Sequence, residues 1–166
     1  MKWFVLPYAY GIANDKSGLP DTEARCRCDA ALEAAGSLPN AVVVLSAGMA
    51  DRTVKLGVPH LAAASEKYLN LKGWPSAKML INPKGKDTVT ETDAALEAIG
   101  NLDSTVVAST TWYHAFRVWL VWLLHGRMVR LRVSWHTASR LNVLRELPAI
   151  LKSLLQVLWR KTLKSN

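Results

Sequence analysis

The chain has 166 residues, of which 50% are hydrophobic and 20% are charged. This length allows one compact domain with a substantial core and is short for two, and the composition excludes an intrinsically disordered chain. The charge is unevenly distributed: residues 1–110 carry 11 basic and 12 acidic residues, whereas residues 111–166 carry 10 basic residues and one acidic residue, Glu146. The second segment is therefore either a basic surface for phosphates, anionic lipid or nucleic acid, or a solvated surface that keeps the protein soluble.

The cysteines indicate a protein of a reducing compartment. The apolar runs are too short for a signal peptide or a transmembrane segment. Cys26 and Cys28 are the only cysteines, and with one residue between them on a predicted helix they cannot pair without strain. The apolar run near the N-terminus is too short for a signal peptide. The longest apolar run, residues 118–124, is far below the roughly 20 residues that span a bilayer. We expect a cytoplasmic protein without a signal peptide or transmembrane segment.

Short β-type runs alternate with helical runs along the chain. The predicted strands are residues 3–6, 41–45, 77–81, 105–108 and 129–133. The predicted helices are residues 20–35, capped by Asp21, then 58–71, 90–99, 111–125 and about 139–164, the last interrupted at Pro148. This alternation predicts a single α/β domain over residues 1–166. We expect a Rossmann-like, doubly wound sheet of about five parallel strands in the order 3-2-1-4-5, with helices on both faces.

The motifs of several common enzyme classes are absent. The loop after the first strand has one glycine, Gly11, and the chain contains neither G-x-G-x-x-G nor G-x-x-x-x-G-K-[ST]. No acidic residue follows the second strand until Asp51, and no G-x-S-x-G elbow is present, which counts against a dinucleotide dehydrogenase and an α/β-hydrolase. The four histidines lack the spacing of a zinc-binding helix, so the sequence predicts no metal site.

Polar residues follow each of the first four predicted strands. Because the carboxyl ends of parallel strands share one edge of a sheet, we expect these residues to converge on one crevice. They are Tyr8, Tyr10 and Gly11 after the first strand, Ser46 and Gly48 after the second, Thr88 and Glu91 after the third, and Ser109, Thr110 and His114 after the fourth.

His114 and Arg117 are three residues apart in the predicted helix that begins at residue 111, and so lie on one face of its first two turns. Free backbone N–H groups and the helix dipole favour an anion there. A half-buried Arg117 needs a partner, either Glu91 or a bound anion. We predict His114 as acid/base or hydrogen-bond donor, Arg117 as anion clamp and Glu91 as the group that orients one of them. The alternatives are structural: a helix-capping histidine, a surface ion pair and an acid matched to the helix dipole.

Several motifs occur in a recognisable order. Thr88-x-x-Glu91 is followed by a strand and by Thr111-Trp112-Tyr113-His114-Ala115-Phe116-Arg117. The other matching segments are Arg27 in the first helix, Val44-Leu45-Ser46-Ala47-Gly48, Tyr68-Leu69 and Gly73-Trp74-Pro75. Together they cover roughly residues 3–133, and in this order the set resembles the YdcF/SanA/ElyC-like family of bacterial proteins.

The resemblance implies a Rossmann-like fold and a ligand-binding role for Arg27. One family member is associated with S-adenosylmethionine, which makes that cofactor a candidate ligand, and others are membrane-anchored and linked to envelope integrity. The family has no agreed reaction, so hydrolase and transferase chemistry both stay open. The chain departs from the family pattern at Thr92, Ala47 and Leu61, where asparagine, glycine and an acidic residue are usual, which implies a divergent site.

Two functions from different classes follow. The first is a pocket protein that binds an anionic or nucleotide-like small molecule. The alternative is a non-catalytic cell-envelope or membrane-surface factor, peripheral to anionic lipid, because the last helix combines a leucine stripe with basic residues. The stripe is Leu151, Leu154, Leu155 and Leu158, and the basic residues are Lys152, Arg160, Lys161 and Lys164. The same pattern fits a helix that docks against the sheet. Without a helix-turn-helix or RNA-binding motif, the charge argues little for nucleic acid.

Overall fold

The structure is a computed structural model that describes residues 2–8, 13, 17–48, 57, 60–100, 104–135 and 140–165. Its strands are β1 (Lys2–Pro7), β2 (Val42–Ala47), β3 (Met79–Gly85), β4 (Ser104–Thr111) and β5 (Arg130–Ser134). Its helices are α1 (Thr22–Gly36), α2 (Leu61–Leu71), α3 (Thr88–Ile99), α4 (Ala115–Leu124) and α5 (Arg140–Ser165), with a 3₁₀ turn at Ser76–Lys78. As predicted, α1 is capped by Asp21, whose side chain accepts a hydrogen bond from the N–H of Ala24 at 2.9 Å.

All five strands pair in parallel, in the order β3-β2-β1-β4-β5. The prediction of a Rossmann-like doubly wound sheet is confirmed. Parallel strands buried on both faces are rich in β-branched and aliphatic residues, and β2 and β4 have this composition. The order places β1 and β4 side by side, with the chain leaving them for opposite faces of the sheet, which is where ligands bind in open α/β sheets.

Two hydrophobic cores lie on opposite faces of the sheet. On one face, α1 and α2 pack through residues such as Ala31 and Leu69 against Val5 and Val43. On the other face, α3 and α4 pack against alternate residues of the same strands, and the fully buried Trp122 of α4 lies in this core. Because side chains alternate along a strand, one run of apolar residues supplies both cores.

The last helix, α5, packs mainly against α4 and α3, outside the two layers that flank the sheet. Val157 of α5, Val89 of α3 and Val121 of α4 form the small cluster that joins them. The helix runs without interruption through Pro148, where the sequence predicted a break. Pro148 is exposed, so water can satisfy the carbonyl group that the proline leaves without a donor. Among the described residues, none of the helices has the length and hydrophobicity that a membrane-spanning helix needs.

Several predicted boundaries differ from those of the structure, among them the ends of β3 and β4 and the start of α4. Strand β4 continues through Thr111, where the sequence predicted the start of a helix, because Thr110 and Thr111 pair with β5. Helix α4 therefore begins at Ala115, and His114 is its N-cap. Strand β3 continues to Gly85 through Pro83, where the sequence predicted its end. An edge strand tolerates proline, and β3 pairs with β2 alone, with an irregularity in register near its end.

Candidate functional site

Three hydroxyl-bearing residues form a row across the carboxyl edge of the sheet. β1 pairs in register with both of its neighbours, and extending the two registers to the end of β1 places Tyr8 level with Ser46 of β2 and Thr110 of β4. Val44 and Ala108, two residues before Ser46 and Thr110, lie in the core under α3 and α4. By strand alternation the three hydroxyl-bearing residues belong to that same face.

The hydroxyl groups of Ser46 and Thr110 are buried without a hydrogen-bond partner in the structure. Both residues are almost fully buried. Burying a hydroxyl group without a partner costs about 1–3 kcal/mol, and such groups are uncommon in folded proteins. The hydroxyl groups of Ser46 and Thr110 can therefore form hydrogen bonds that no described protein atom provides.

The hydroxyl group of Tyr8, in contrast, belongs to a series of hydrogen bonds in which every donor has an acceptor. The indole N–H of Trp122 donates to it at 2.9 Å, and it lies 2.5 Å from Oγ1 of Thr92. Since the Thr92 hydroxyl donates to the carbonyl oxygen of Thr88 at 2.8 Å, Tyr8 is the donor to Thr92. Burial raises the pKa of Tyr8, so the phenol stays protonated. Tyr8 thus fixes α3 and α4 against the end of β1.

Arg27 lies on the opposite face of the sheet, in an ion pair within α1 that is hydrogen-bonded to the end of β4. Its guanidinium group contacts the carboxylate of Glu23 and donates to Oγ1 of Thr111 at 2.8 Å. The Tyr113 hydroxyl donates to the same Glu23 carboxylate at 2.5 Å. Burial and this carboxylate raise the pKa of Tyr113. These contacts give Arg27 a structural role, and the ligand-binding role that the family resemblance implies for it stays a prediction.

Two other predicted site residues contact the backbone of neighbouring elements. Ser109 Oγ donates to the carbonyl oxygen of Arg27 at 2.6 Å. The N–H of Gly48 donates to the carbonyl oxygen of Gly85 at 2.5 Å, and its own carbonyl accepts from the N–H of Leu61 at 3.0 Å. A Cβ atom at Gly48 would lie 2.9 Å from that same Gly85 oxygen, so close approach of the backbones requires glycine. Tyr10 and Gly11 lie outside the described residues.

His114 is buried at the start of α4, where the sequence analysis placed an anion-binding site. Its Nε2 lies 3.4 Å from Oγ1 of Thr88, and its ring meets that of Tyr8 edge to face with centroids 6.2 Å apart. Nη2 of Arg117 lies 2.8 Å from His114 Nδ1. A guanidinium group can only donate, so Nδ1 is the acceptor and the ring proton resides on Nε2, which donates to Thr88.

The environment of His114 keeps its imidazole neutral. Burial lowers the pKa of His114 to about 4, and the positive charges of Arg27 and Arg117 act in the same direction. The carboxylate of Glu146 opposes this shift without overcoming it. At neutral pH the ring is therefore a hydrogen-bond acceptor at Nδ1 and a weak base.

Arg117 is paired with Glu146 of α5. Its Nε lies 3.0 Å from Oε2, and its Nη2 donates to Oε1 at 3.1 Å, so that two nitrogens of the guanidinium group hold one carboxylate. Both carboxylate oxygens also lie 3.3 Å from Nδ1 of His114. Burial raises the pKa of Glu146, but the hydrogen-bonding and charged groups around it, Arg117 among them, outweigh burial and hold the pKa below its usual value, so the carboxyl group is ionised. Glu91 or a bound anion was expected as the partner of Arg117, and in the structure the carboxylate of Glu146 takes that position.

Glu91, the residue predicted to orient His114 or Arg117, lies at the same edge in the first turn of α3. It is buried against β3, because a Cβ atom at Gly85 would lie 2.5 Å from Cγ of Glu91. The predicted role of Glu91 stays a prediction. The structure thus brings Tyr8, Thr88, His114 and Arg117 together, with Ser46, Thr110 and Glu91 at the same edge, and separates Arg27 and Ser109 onto the α1 face.

Four residues that shape this edge are not among those predicted from the sequence. Glu146 had one signal, because it is the single acidic residue of the basic C-terminal segment. Glu23 is four residues before Arg27 on a helix, a spacing that predicts an ion pair. Tyr113 is part of the family-like motif and Trp122 is typical of a packing residue, and the spacing of neither predicts the acceptor of its hydrogen bond.

No group of three or more histidine, cysteine, aspartate or glutamate side chains able to hold a metal ion occurs within the described part of the chain. Comparisons with protein-family models, with curated proteins and with solved structures returned no match.

Proposed function

We propose that the protein binds a small molecule through a carboxylate or phosphate group at the carboxyl edge of the sheet, with Arg117 as the anion clamp. The observation that supports this proposal is the position of Glu146, whose carboxylate is held by two nitrogens of Arg117 beside the N-terminus of α4. Planar guanidinium groups bind carboxylates and phosphates in the same two-pronged manner. A site that holds an internal carboxylate has the chemistry to hold an external one.

In this proposal the anionic group of the ligand takes the place of the Glu146 carboxylate. The unpaired hydroxyl groups of Ser46 and Thr110 then supply hydrogen bonds to other polar atoms of the ligand. Because the ligand competes with a tethered carboxylate, its apparent affinity is lower than that of the open site. Glu146 thus sets the concentration at which the ligand binds.

The protonation state of His114 bears on any chemistry that follows binding. The lone pair of the neutral ring, at Nδ1, accepts from Arg117, and a pKa of about 4 makes the imidazole a weak base, so His114 fits a hydrogen-bond donor through Nε2 better than a general acid or base. Hydrolase and transferase chemistry both stay open. S-adenosylmethionine, the candidate from the family resemblance, carries a carboxylate that Arg117 can bind.

A thermal-shift screen of nucleotides, sugar phosphates and S-adenosylmethionine tests the proposal. A ligand present at about 100 times its dissociation constant adds roughly 2.7 kcal/mol to the free energy of unfolding. Arg117→Ala is expected to remove the shift that any such ligand produces. Arg132→Ala is the matched control, since it removes the same charge from a surface arginine that pairs with Glu33. A ligand that shifts Arg117→Ala as much as the unmodified protein would show that the site is elsewhere.

A further inference from the structure

The outward face of α5 is apolar. Five leucines are each more than half exposed: Leu144, Leu147, Leu151, Leu155 and Leu158. Their spacing of three, four, four and three residues places them on one stripe, which we call the outer stripe, and which extends for about 21 Å along the helix. Monomeric soluble proteins rarely expose a continuous apolar strip of this length.

The face of α5 that packs against the protein is mixed. Val157 is buried in the cluster with α3 and α4, next to Ser153, which is also buried, and to Glu146, which pairs with Arg117. Arg160 on the same side pairs with Asp93 of α3. A surface helix normally has its main apolar stripe toward the core, whereas the leucine stripe of α5 is exposed. The outer stripe therefore remains exposed after α5 has made its contacts with α3 and α4.

The charged side chains that α5 itself places around the outer stripe are basic, and the acidic group beside the stripe is Asp87 of α3, which lies near Lys152 and accepts a hydrogen bond from Gln156. Helix α5 contains six basic residues and one acidic residue, and that acidic residue, Glu146, is held by Arg117 on the inward side. Arg145 and Lys152 are exposed and flank the stripe. Trp159, 68% exposed, lies at its C-terminal end, and tryptophan is enriched where proteins meet the headgroup region of a bilayer.

The exposed leucines and the basic residues beside them favour one kind of partner for the outer stripe over another. A second copy of the chain packed along the same stripe would set basic residues against basic residues, which is unfavourable. A bilayer surface with anionic headgroups accommodates both the leucines and the positive charge. We propose that α5 is a membrane-surface helix, whose outer stripe inserts at the boundary between headgroups and acyl chains of an anionic bilayer.

The proposal is tested by co-sedimentation of the full chain with vesicles. We expect binding to vesicles of phosphatidylcholine with about 30% phosphatidylserine at least ten times tighter than to vesicles of phosphatidylcholine alone. Binding to the anionic vesicles is expected to weaken in 0.5 M salt, because screening removes the attraction of the basic residues. A blue shift of tryptophan emission on binding, absent in Trp159→Phe, would place the end of α5 at the lipid.

The matched variants are Leu147→Glu with Leu151→Glu on the outer stripe, and Leu71→Glu on α2. All three leucines are well exposed, so the substitutions are expected to leave the melting temperature within a few degrees of the original. The double variant is expected to lose at least nine-tenths of its vesicle binding, and Leu71→Glu to keep it.

Two results would overturn the proposal. The first is failure to bind anionic vesicles at low salt. The second is a lipid-free dimer that the double variant, but not Leu71→Glu, converts to a monomer, which would assign the outer stripe to a second copy of the chain.

Discussion

The carboxylate of Glu146 and the guanidinium group of Arg117 form a two-pronged ion pair, although 29 residues separate them in sequence. This pair fastens α5 to the start of α4, at the carboxyl edge of the sheet. It also fills the position where the chain was expected to hold an anion. The same contact thus stabilises the fold and occupies the proposed binding site.

Removing Arg117 leaves the largely buried Glu146 carboxylate without its main partner. We expect Arg117→Ala to lower the free energy of unfolding by about 2–3 kcal/mol, because an ionised group that loses its hydrogen bonds in a buried place is costly. Urea denaturation of Arg117→Ala, Glu146→Gln and the double variant measures the coupling between the two residues. A coupling energy of about 1 kcal/mol or more is expected, and additive effects would contradict the pair.

Gly85 at the end of β3 is expected to be intolerant of any side chain. A Cβ atom there would lie 2.6 Å from Cα of Glu91 and 2.6 Å from the carbonyl oxygen of Ser46, and backbone atoms cannot move aside cheaply. Gly85→Ala is expected to cost about 2–3 kcal/mol in unfolding experiments. Gly36→Ala at the end of α1 is the control, since nothing lies within 4 Å of its added carbon, and it should change stability by less than about 1 kcal/mol. Equal effects of the two substitutions would refute this packing.

Because the imidazole of His114 is buried, we expect the free energy of unfolding to decrease as the pH falls. Its pKa is about 4 in the folded protein and close to 6.5 in the unfolded chain, so the unfolded chain binds the proton more readily. The contribution of His114 is complete above pH 6.5 and is lost as the pH falls toward 4, by an amount on the order of 3 kcal/mol. Unfolding free energies measured between pH 7 and pH 4.5 are expected to fall more steeply for the unmodified protein than for His114→Gln. Parallel curves would show that His114 does not titrate in this way.

We expect the Tyr8 hydroxyl to contribute more to the free energy of unfolding than a hydroxyl at the surface does. Tyr8→Phe deprives the buried indole N–H of Trp122 of its acceptor, at a cost of about 1–3 kcal/mol. Tyr68→Phe removes a hydroxyl that donates to the half-exposed Asp29, where water can replace it, and should cost less than about 1 kcal/mol. Thermal unfolding of the two variants makes the comparison, and a smaller loss for Tyr8→Phe would contradict the series of hydrogen bonds at Tyr8.

Much of the fold follows from local patterns in the sequence. The run Val42–Leu45 is apolar on both faces, which identifies a buried parallel strand, and Asp21 caps α1 as its position predicted. The predicted boundaries that were wrong lie where the structure depends on residues distant in sequence. Thr110 and Thr111 suit a turn by composition, and pairing with β5 keeps them extended.

The positions of the candidate site residues follow from the sequence more closely than the contacts between them do. The rule for parallel sheets correctly placed Tyr8, Ser46, Thr88 and His114 at one edge. The partner of Arg117 depends on how α5 crosses α4, and helical periodicity says nothing about that crossing. A carboxylate from anywhere in the chain satisfies the same requirement, so sequence spacing alone could not choose Glu146.

The most direct test of the proposed anion site is to empty it and refill it. Glu146→Ala removes the internal carboxylate and leaves Arg117 and His114 in place, and we expect it to lower the melting temperature. Acetate and phosphate at tens of millimolar are then expected to restore part of that loss in Glu146→Ala by several degrees, measured against chloride at equal ionic strength. The double variant Glu146→Ala with Arg117→Ala is expected to show no such restoration. Equal responses of the single and double variants would contradict an anion site at Arg117.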